Sequence, residues 1–214
     1  MTETKPRSRR AVVAGALILA ICSLAAALYG RFSEGGNQTA DACPSAKSVA
    51  ERLAPLARGE VAALQVSKAP DPLPPIAFND PQGKTTTLAD FRGRTVLLNL
   101  WATWCAPCRH EMPALDKLQA DLGGNDFEVV AINIDTRNLD KPKTWLREAG
   151  IARLAYYADP QAKVFQDLRS AGKAVGMPTT FLLDPEGCEL AQLSGAADWG
   201  GEDAARLVRA ALGR

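Results

Sequence analysis

Histidine is nearly missing from this chain of 214 residues, which contains only His110. Cysteines spaced as C-x-x-C also occur once, as Cys105 and Cys108. A structural zinc site needs four ligands, usually a second C-x-x-C or a pair of histidines. This shortage argues against zinc as the reason for the cysteine pair, and we predict no metal site.

An excess of charge of one sign is missing as well. The 25 Lys and Arg residues nearly balance the 24 Asp and Glu residues, for a net charge of +1. Residues 1–10 alone carry four cations against one anion, so the rest of the chain is slightly acidic. Binding to phosphates needs a concentrated basic surface. Nucleic acid is therefore excluded as a partner.

The sequence does contain a long apolar run, because no charged residue lies between Arg10 and Arg31. At a rise of ~1.5 Å per residue, residues 11–30 match the ~30 Å hydrocarbon layer of a membrane. The basic residues 1–10 would stay cytoplasmic under the positive-inside rule. We therefore predict a cytoplasmic tail, a transmembrane anchor at 11–30, a linker at 31–42 and export of the remainder.

Two other fates of the apolar run stay open. Small residues at 25–27 resemble a signal-peptide cleavage site, although the run exceeds the ~7–15 residues of a usual signal core. The second alternative is a lipoprotein acylated at Cys22. Such sites usually have a small residue just before the cysteine, and Ile21 is not small.

Two further cysteines, Cys43 and Cys188, lie far apart in the exported part, where disulfides persist. Pairing them would close a long loop and stabilise the fold by up to about 5 kcal/mol on the chain-entropy model. Two unrelated thiols are the alternative, because sequence alone does not assign connectivity.

The C-x-x-C pair stands where an apolar strand, predicted at 95–101, changes into a helix predicted at 107–122. Cys105 would lie at the helix N-terminus, where free backbone N–H groups and the helix dipole favour a thiolate. Cys108 would lie one turn later, on the same face. This arrangement indicates a redox-active dithiol.

The rest of the pattern alternates between strand and helix. Residues 43–75 are predicted as an N-terminal helical extension, and 76–214 as one α/β domain that begins with a hairpin and has a mixed central sheet. The other predicted strands are 76–79, 85–88, 127–133, 154–157, 179–183 and 189–193, and the other helices are 141–149, 162–168 and 202–212.

Three strings carry a resemblance to a known family: N-L-W-A-T-W-C-A-P-C-R at 99–109, A-I-N-I-D-T at 131–136 and G-M-P-T at 176–179. Together they resemble the thioredoxin superfamily, and within it the TlpA/ResA group of membrane-anchored thiol–disulfide oxidoreductases. With the Cys43/Cys188 pair, the chain is most similar to the alphaproteobacterial TlpA proteins. The resemblance implies a thioredoxin-like fold, no cofactor beyond the Cys105–Cys108 disulfide, and an inner-membrane protein whose catalytic domain is periplasmic.

The resemblance also assigns roles to residues. Cys105 would attack a substrate disulfide, and Cys108 would resolve the mixed disulfide. Pro178 would be a cis-proline packed against the dithiol, and the backbone of Met177 would pair with the substrate chain. Trp104 would act as a lid over the dithiol rather than as a core aromatic.

Glu111 lies three residues after Cys108, on nearly the same helix face. In ResA-like proteins the matching glutamate helps to deprotonate the dithiol, and a solvated carboxylate is the alternative. Asn99 stands where cytosolic thioredoxins have a buried aspartate, so that proton route is missing. Ala106 and Pro107 resemble the pair found in reductants rather than that of the oxidant DsbA, which implies a reductase.

The resemblance further implies partners. A periplasmic reductase needs electrons from a CcdA/DsbD-type membrane donor, and TlpA-like proteins reduce cysteine pairs in cytochrome c oxidase assembly factors or its copper-site subunit. A CcmG-type reductase of apocytochrome c, serving heme attachment, is the alternative. A Sco-like copper-binding protein is a rival of another class. It is disfavoured because no histidine follows His110, for which a solvated helix position is expected.

Overall fold

The computed structural model describes residues 43–214. The predicted cytoplasmic tail at 1–10, anchor at 11–30 and linker at 31–42 lie outside the described residues. Within residues 43–214, no helix is both long and apolar enough to cross a membrane.

The described chain contains eight strands and five α-helices. The strands are β1 Gln65–Val66, β2 Ala77–Asn79, β3 Thr85–Thr87, β4 Thr95–Trp101, β5 Phe127–Asn133, β6 Tyr157–Ala158, β7 Thr179–Leu183 and β8 Glu189–Ser194. The α-helices are α1 Ala46–Leu53, α2 Ala106–Leu122, α3 Lys141–Glu148, α4 Lys163–Ser170 and α5 Glu202–Ala211. Short 3-10 turns cover Ala54–Leu56, Gly59–Val61 and Leu88–Phe91.

All eight strands form one sheet in the order β1-β8-β7-β4-β5-β6-β2-β3. The pairs β4/β5 and β5/β6 are parallel, and the remaining pairs are antiparallel. The predicted mixed sheet is therefore present. Strand β4 lies at its centre, and all seven of its residues are buried. A strand covered on both faces is expected to be this apolar.

Residues 43–75 contribute one short strand to the same sheet and one helix that packs against it. Strand β1, which the sequence pattern did not predict, pairs with β8 in antiparallel register. Helix α1 contacts both α5 and β8. The predicted helical extension contains one α-helix followed by two 3-10 turns, because Pro55 cannot continue a regular helix.

The strand predicted at 154–157 is mostly absent, and only Tyr157–Ala158 joins the sheet. The backbone N–H groups of Arg153 and Leu154 instead donate to Oδ1 of Asp116, at 2.7 and 3.0 Å. Because both N–H groups are bonded to a side chain of helix α2, they do not extend the pairing between β5 and β6.

Candidate active site

The two cysteines lie at the junction between β4 and α2. Cys105 is the N-cap of α2, and its Sγ accepts a hydrogen bond from the backbone N–H of Cys108 at 3.3 Å. The structure shows the oxidised form, with Cys105 and Cys108 joined and their Cα atoms 5.3 Å apart. Cys105 is 6% exposed and Cys108 is 0% exposed. An attacking or attacked sulfur must be reached from outside, so the geometry assigns that position to Cys105.

The turn before the dithiol is fixed to the neighbouring strand by a buried aspartate. Asp135 accepts hydrogen bonds from the backbone N–H and the hydroxyl of Thr103, at 2.8 and 2.7 Å. Asn133 donates to the same carboxylate at 2.7 Å. Sequence reasoning did not assign Asp135 a role. It lies in the string at 131–136, just after β5, and parallel strands end at the same edge of a sheet.

The peptide bond between Met177 and Pro178 is cis. Thr179, which follows, is paired with Leu100 near the end of β4. Because β4 and β7 are antiparallel, the start of β7 lies at the edge of the sheet where β4 leads into the dithiol. The backbone C=O of Pro178 accepts the N–H of Gly195 at 2.9 Å. The cis-proline turn and the dithiol therefore share one edge.

The tryptophans near the motif differ in exposure. Trp101 is a core residue, 1% exposed, and its ring lies 5.5 Å from that of Trp145. Trp104 is 62% exposed, so it is not a core aromatic. Its role as a lid stays a prediction. Pro107 lies in the first turn of α2 and is exposed.

Glu111 is buried, at 1% exposure, and is not a solvated helix carboxylate. Its Oε1 accepts from Nδ2 of Asn99 at 2.8 Å, and its Oε2 accepts from the backbone N–H of Ala197 at 3.2 Å. Burial raises the pKa of Glu111 from 4.5 to about 7, against the lowering effects of these bonds and of the Trp199 indole. The indole N–H itself makes no bond within usual geometric limits. A carboxyl with this pKa can exchange a proton with a thiol near neutral pH.

A cavity of about 390 Å³ reaches Glu111 from one side, and its lining includes His110, Pro113, Ala197 and Asp198. His110 itself is exposed on α2, as expected. Glu111 is the buried residue of this lining, and its neighbours there are partly or fully exposed.

We expect Glu111 to make the fold less stable as the pH rises. Its pKa is higher in the folded chain than in the unfolded one, so the folded state binds the proton more tightly between pH 4.5 and about 7. The resulting loss is absent below that window and complete above it, at about 3 kcal/mol. Unfolding of the oxidised protein by denaturant from pH 4 to 8 measures it, with Glu111→Gln lacking this contribution. A difference between the two proteins that is constant with pH would contradict the expectation.

Cys43 and Cys188 form a second disulfide in the structure, with their Cα atoms 6.0 Å apart. It joins the start of the described chain to the turn between β7 and β8. Within residues 43–214, Cys188 also belongs to a group of potential metal ligands with Asp184 and Glu186. The sulfur is already bonded, and Oδ1 of Asp184 accepts two backbone N–H groups, from Glu186 and Cys188, at 2.9 and 2.8 Å. The group therefore closes a turn.

A buried dithiol at a strand–helix junction, beside a cis-proline and on this mixed sheet, defines a thioredoxin-like thiol–disulfide oxidoreductase. Residues 69–188 match the sequence profile of the AhpC/TSA family, and the chain belongs to that family. The predicted thioredoxin-like fold and the predicted enzyme class are confirmed.

Relatives of known sequence and structure agree with this class. Thioredoxin-like protein YneN of Bacillus subtilis (strain 168) is 31% identical over 134 residues, which are 60% of this chain and 70% of YneN. Thiol-disulfide oxidoreductase ResA of Geobacillus thermodenitrificans (strain NG80-2) is 35% identical over 115 residues, which are 53% of this chain and 62% of that ResA. The crystal structure of a DsbE-type thiol:disulfide interchange protein from Chlorobium tepidum matches with a TM-score of 0.57 at 34% identity. That match covers 67% of this chain and 96% of the other. The narrower assignment to TlpA stays a prediction.

Proposed function

We propose that this protein reduces disulfides in exported client proteins, and that its clients are copper-site proteins of cytochrome c oxidase assembly. The observation that carries the reductase proposal is the buried carboxyl of Glu111, placed one helical turn beyond Cys108 with a pKa of about 7. A reductase must deprotonate its second cysteine during each turnover, and Glu111 is an acceptor for that proton.

The proposed reaction begins with the reduced protein, in which Cys105 is a thiolate and Cys108 a thiol. Cys105 attacks the client disulfide, and one client sulfur leaves as a thiolate. Cys108 gives its proton to Glu111 and attacks Sγ of Cys105, which breaks the mixed disulfide and releases the second client thiolate. The client has gained two electrons, and the Cys105–Cys108 pair has lost them.

The surface around the dithiol supports the binding of a protein client. Residues 43–214 leave three large hydrophobic side chains exposed, namely Trp104, Leu139 and Val175. Trp104 follows β4, Leu139 follows β5 and Val175 precedes β7. These three strands are adjacent in the sheet. All three loops lie at the dithiol edge, and exposed apolar groups in one region indicate a binding surface. The backbone of Met177 is available there to pair with an extended client segment.

The proposed location and electron source rest on the sequence. Residues 11–30 would anchor the protein in the inner membrane with the catalytic domain in the periplasm. In that oxidising compartment the dithiol must be returned to the reduced state, and a CcdA/DsbD-type membrane donor would do this. The protein itself would need no cofactor other than its Cys105–Cys108 disulfide.

The reduction potential of Cys105–Cys108 tests the direction of electron flow. Equilibration of the exported domain with dithiothreitol or glutathione is expected to give a value of about −270 to −200 mV, the range of thioredoxin and glutaredoxins. Cys105→Ser, which has no such couple, is the control. A value near about −120 mV, as in DsbA, would mean that the protein forms disulfides and would overturn the reductase proposal.

The client is tested by direct comparison. The reduced protein is mixed with two purified substrates, an oxidised copper-site domain and an apocytochrome c with an oxidised C-x-x-C-H segment. Faster reduction of the copper-site domain is expected. Faster reduction of the apocytochrome would instead assign the role of a CcmG-type reductase.

A further inference from the structure

Asn99 is a polar residue in the middle of the central strand β4, and it is 0% exposed. Its Nδ2 donates two hydrogen bonds, to Oε1 of Glu111 at 2.8 Å and to Oγ1 of Thr180 at 2.9 Å. Its Oδ1 is one of two buried side-chain atoms in residues 43–214 without a hydrogen-bond partner. A buried carbonyl oxygen normally finds a donor, so this one requires an explanation.

Asn99, Thr180 and Glu111 lie on three separate elements of the fold. Asn99 and Thr180 are direct partners across β4 and β7, and Glu111 lies on α2. The other groups that affect the pKa of Glu111 are the N–H of Ala197 and the indole of Trp199. No charged side chain of residues 43–214 contributes a resolved effect on it. His110 and Asp198 line the same cavity as Glu111, and the dithiol, which lies on the same helix, does not titrate in the oxidised form.

We propose that Asn99 and Thr180 are positioning residues that allow Glu111 to be held in both of its protonation states. In the observed orientation, Nδ2 of Asn99 donates to the carboxylate. When Glu111 takes the proton of Cys108, its O–H requires an acceptor. Rotation of the Asn99 amide by about half a turn brings Oδ1 to that position, because the amide carries a donor and an acceptor on similar arms.

The hydroxyl of Thr180 suits both orientations. A hydroxyl accepts from Nδ2 in one and donates to Oδ1 in the other, since its hydrogen rotates freely. Oδ1 of Asn99 is then the acceptor that the protonated state uses, and Nδ2 moves to the place where Oδ1 had no partner. The proton balance is simple: one proton leaves Cys108, resides on Glu111 while the amide is reversed, and passes to a client thiolate or to solvent.

Titration of Glu111 in the oxidised protein tests the network without any client. Difference infrared spectroscopy follows the protonated carboxyl with pH, and Glu111→Gln assigns its band. Asn99→Leu is expected to move the midpoint upward by about one to two pH units, because the charge-assisted bond lost by the carboxylate is stronger than the neutral bond lost by the protonated form. Thr180→Val, which keeps the side-chain shape, is expected to move it in the same direction by less.

The matched control is Asn133→Leu. Asn133 is a buried asparagine on the adjacent strand β5, but its amide donates to Asp135 rather than to Glu111. The same substitution there is expected to leave the Glu111 midpoint in place. An equal shift in Asn99→Leu and Asn133→Leu would assign the effect to general disturbance of the core and would overturn the proposal.

The wild-type protein supplies a second readout that needs no variant to fold. The side-chain NH₂ resonances of Asn99 are expected to move with pH at the midpoint of Glu111, while those of Asn133 do not. Asn99 resonances that do not change across this midpoint would contradict the reversal of the amide. This proposal rests on the proton step of the proposed function, but the two can fail separately. An oxidising reduction potential of Cys105–Cys108 would remove the reductase role and leave the hydrogen-bond network around Glu111 untouched.

Discussion

Glu111→Gln is expected to slow reduction of a protein disulfide at pH 7 by about 10²-fold or more, the lower range of general acid–base catalysis. Glutamine preserves the size of the side chain and accepts the hydrogen bond from Asn99, but it cannot take the proton of Cys108. The loss is therefore expected in the resolving step. Stopped-flow measurement would show the mixed disulfide forming at a nearly normal rate and then decaying slowly.

The matched control is Glu128→Gln, which makes the same change on β5, in the first half of the strand and away from the dithiol. Glu128 accepts a hydrogen bond from Tyr157 at 2.5 Å and forms an ion pair with Arg94, so it is also a bonded, partly buried carboxylate. Its replacement is expected to leave the resolving step unchanged. Equal slowing in both variants, or normal decay of the mixed disulfide in Glu111→Gln, would rule out a proton transfer at Glu111.

Removal of the second disulfide, by Cys43→Ala with Cys188→Ala, is expected to lower the free energy of unfolding by about 3 to 5 kcal/mol. The bond links residues 145 positions apart, so its loss releases nearly the whole described chain in the unfolded state. The comparison is made by urea unfolding in a Cys105→Ser, Cys108→Ser background. In that background Cys43–Cys188 is the disulfide under test, and the catalytic pair does not interfere.

The same alanine pair in the active protein is expected to leave the rate of client reduction unchanged at a temperature where it is folded. The disulfide joins the turn after β7 to the start of the described chain, whereas the dithiol lies at the opposite end of β7. In the urea unfolding comparison, a loss of stability below about 1 kcal/mol on removal of Cys43–Cys188 would contradict the chain-entropy argument.

The central strands could be predicted from the sequence, because long apolar runs bounded by polar residues leave little choice. The bounds of β4, β5 and β7 match the prediction. Strand β1 was not predicted, and β6 covers Tyr157–Ala158 rather than the predicted 154–157, since pairing that short depends on which distant segment lies beside it. The hydrogen bond from the backbone N–H of Leu154 to the side chain of Asp116 likewise depends on a contact between distant positions.

For the candidate site too, the sequence predicted local positions but not contacts between distant segments. The spacing placed Cys105, Cys108 and Glu111 on one helix, but spacing does not show what covers that face. Glu111 is buried because the segment containing Ala197 folds over it from 86 positions away. The anchoring role of Asp135 was missed for the same reason, since its partner Thr103 follows a different strand.

The disulfide between Cys43 and Cys188 lies in a protein whose own chemistry is thiol–disulfide exchange. Cys188 is 0% exposed, so its sulfur is closed to the thiolate of a neighbouring copy, whereas Cys43, at 6%, is as exposed as Cys105. Exchange between thiols and disulfides depends on access to the attacked sulfur. Attack at Cys188 is therefore blocked while the chain is folded, and reduction of this link by another copy must begin at the sulfur of Cys43.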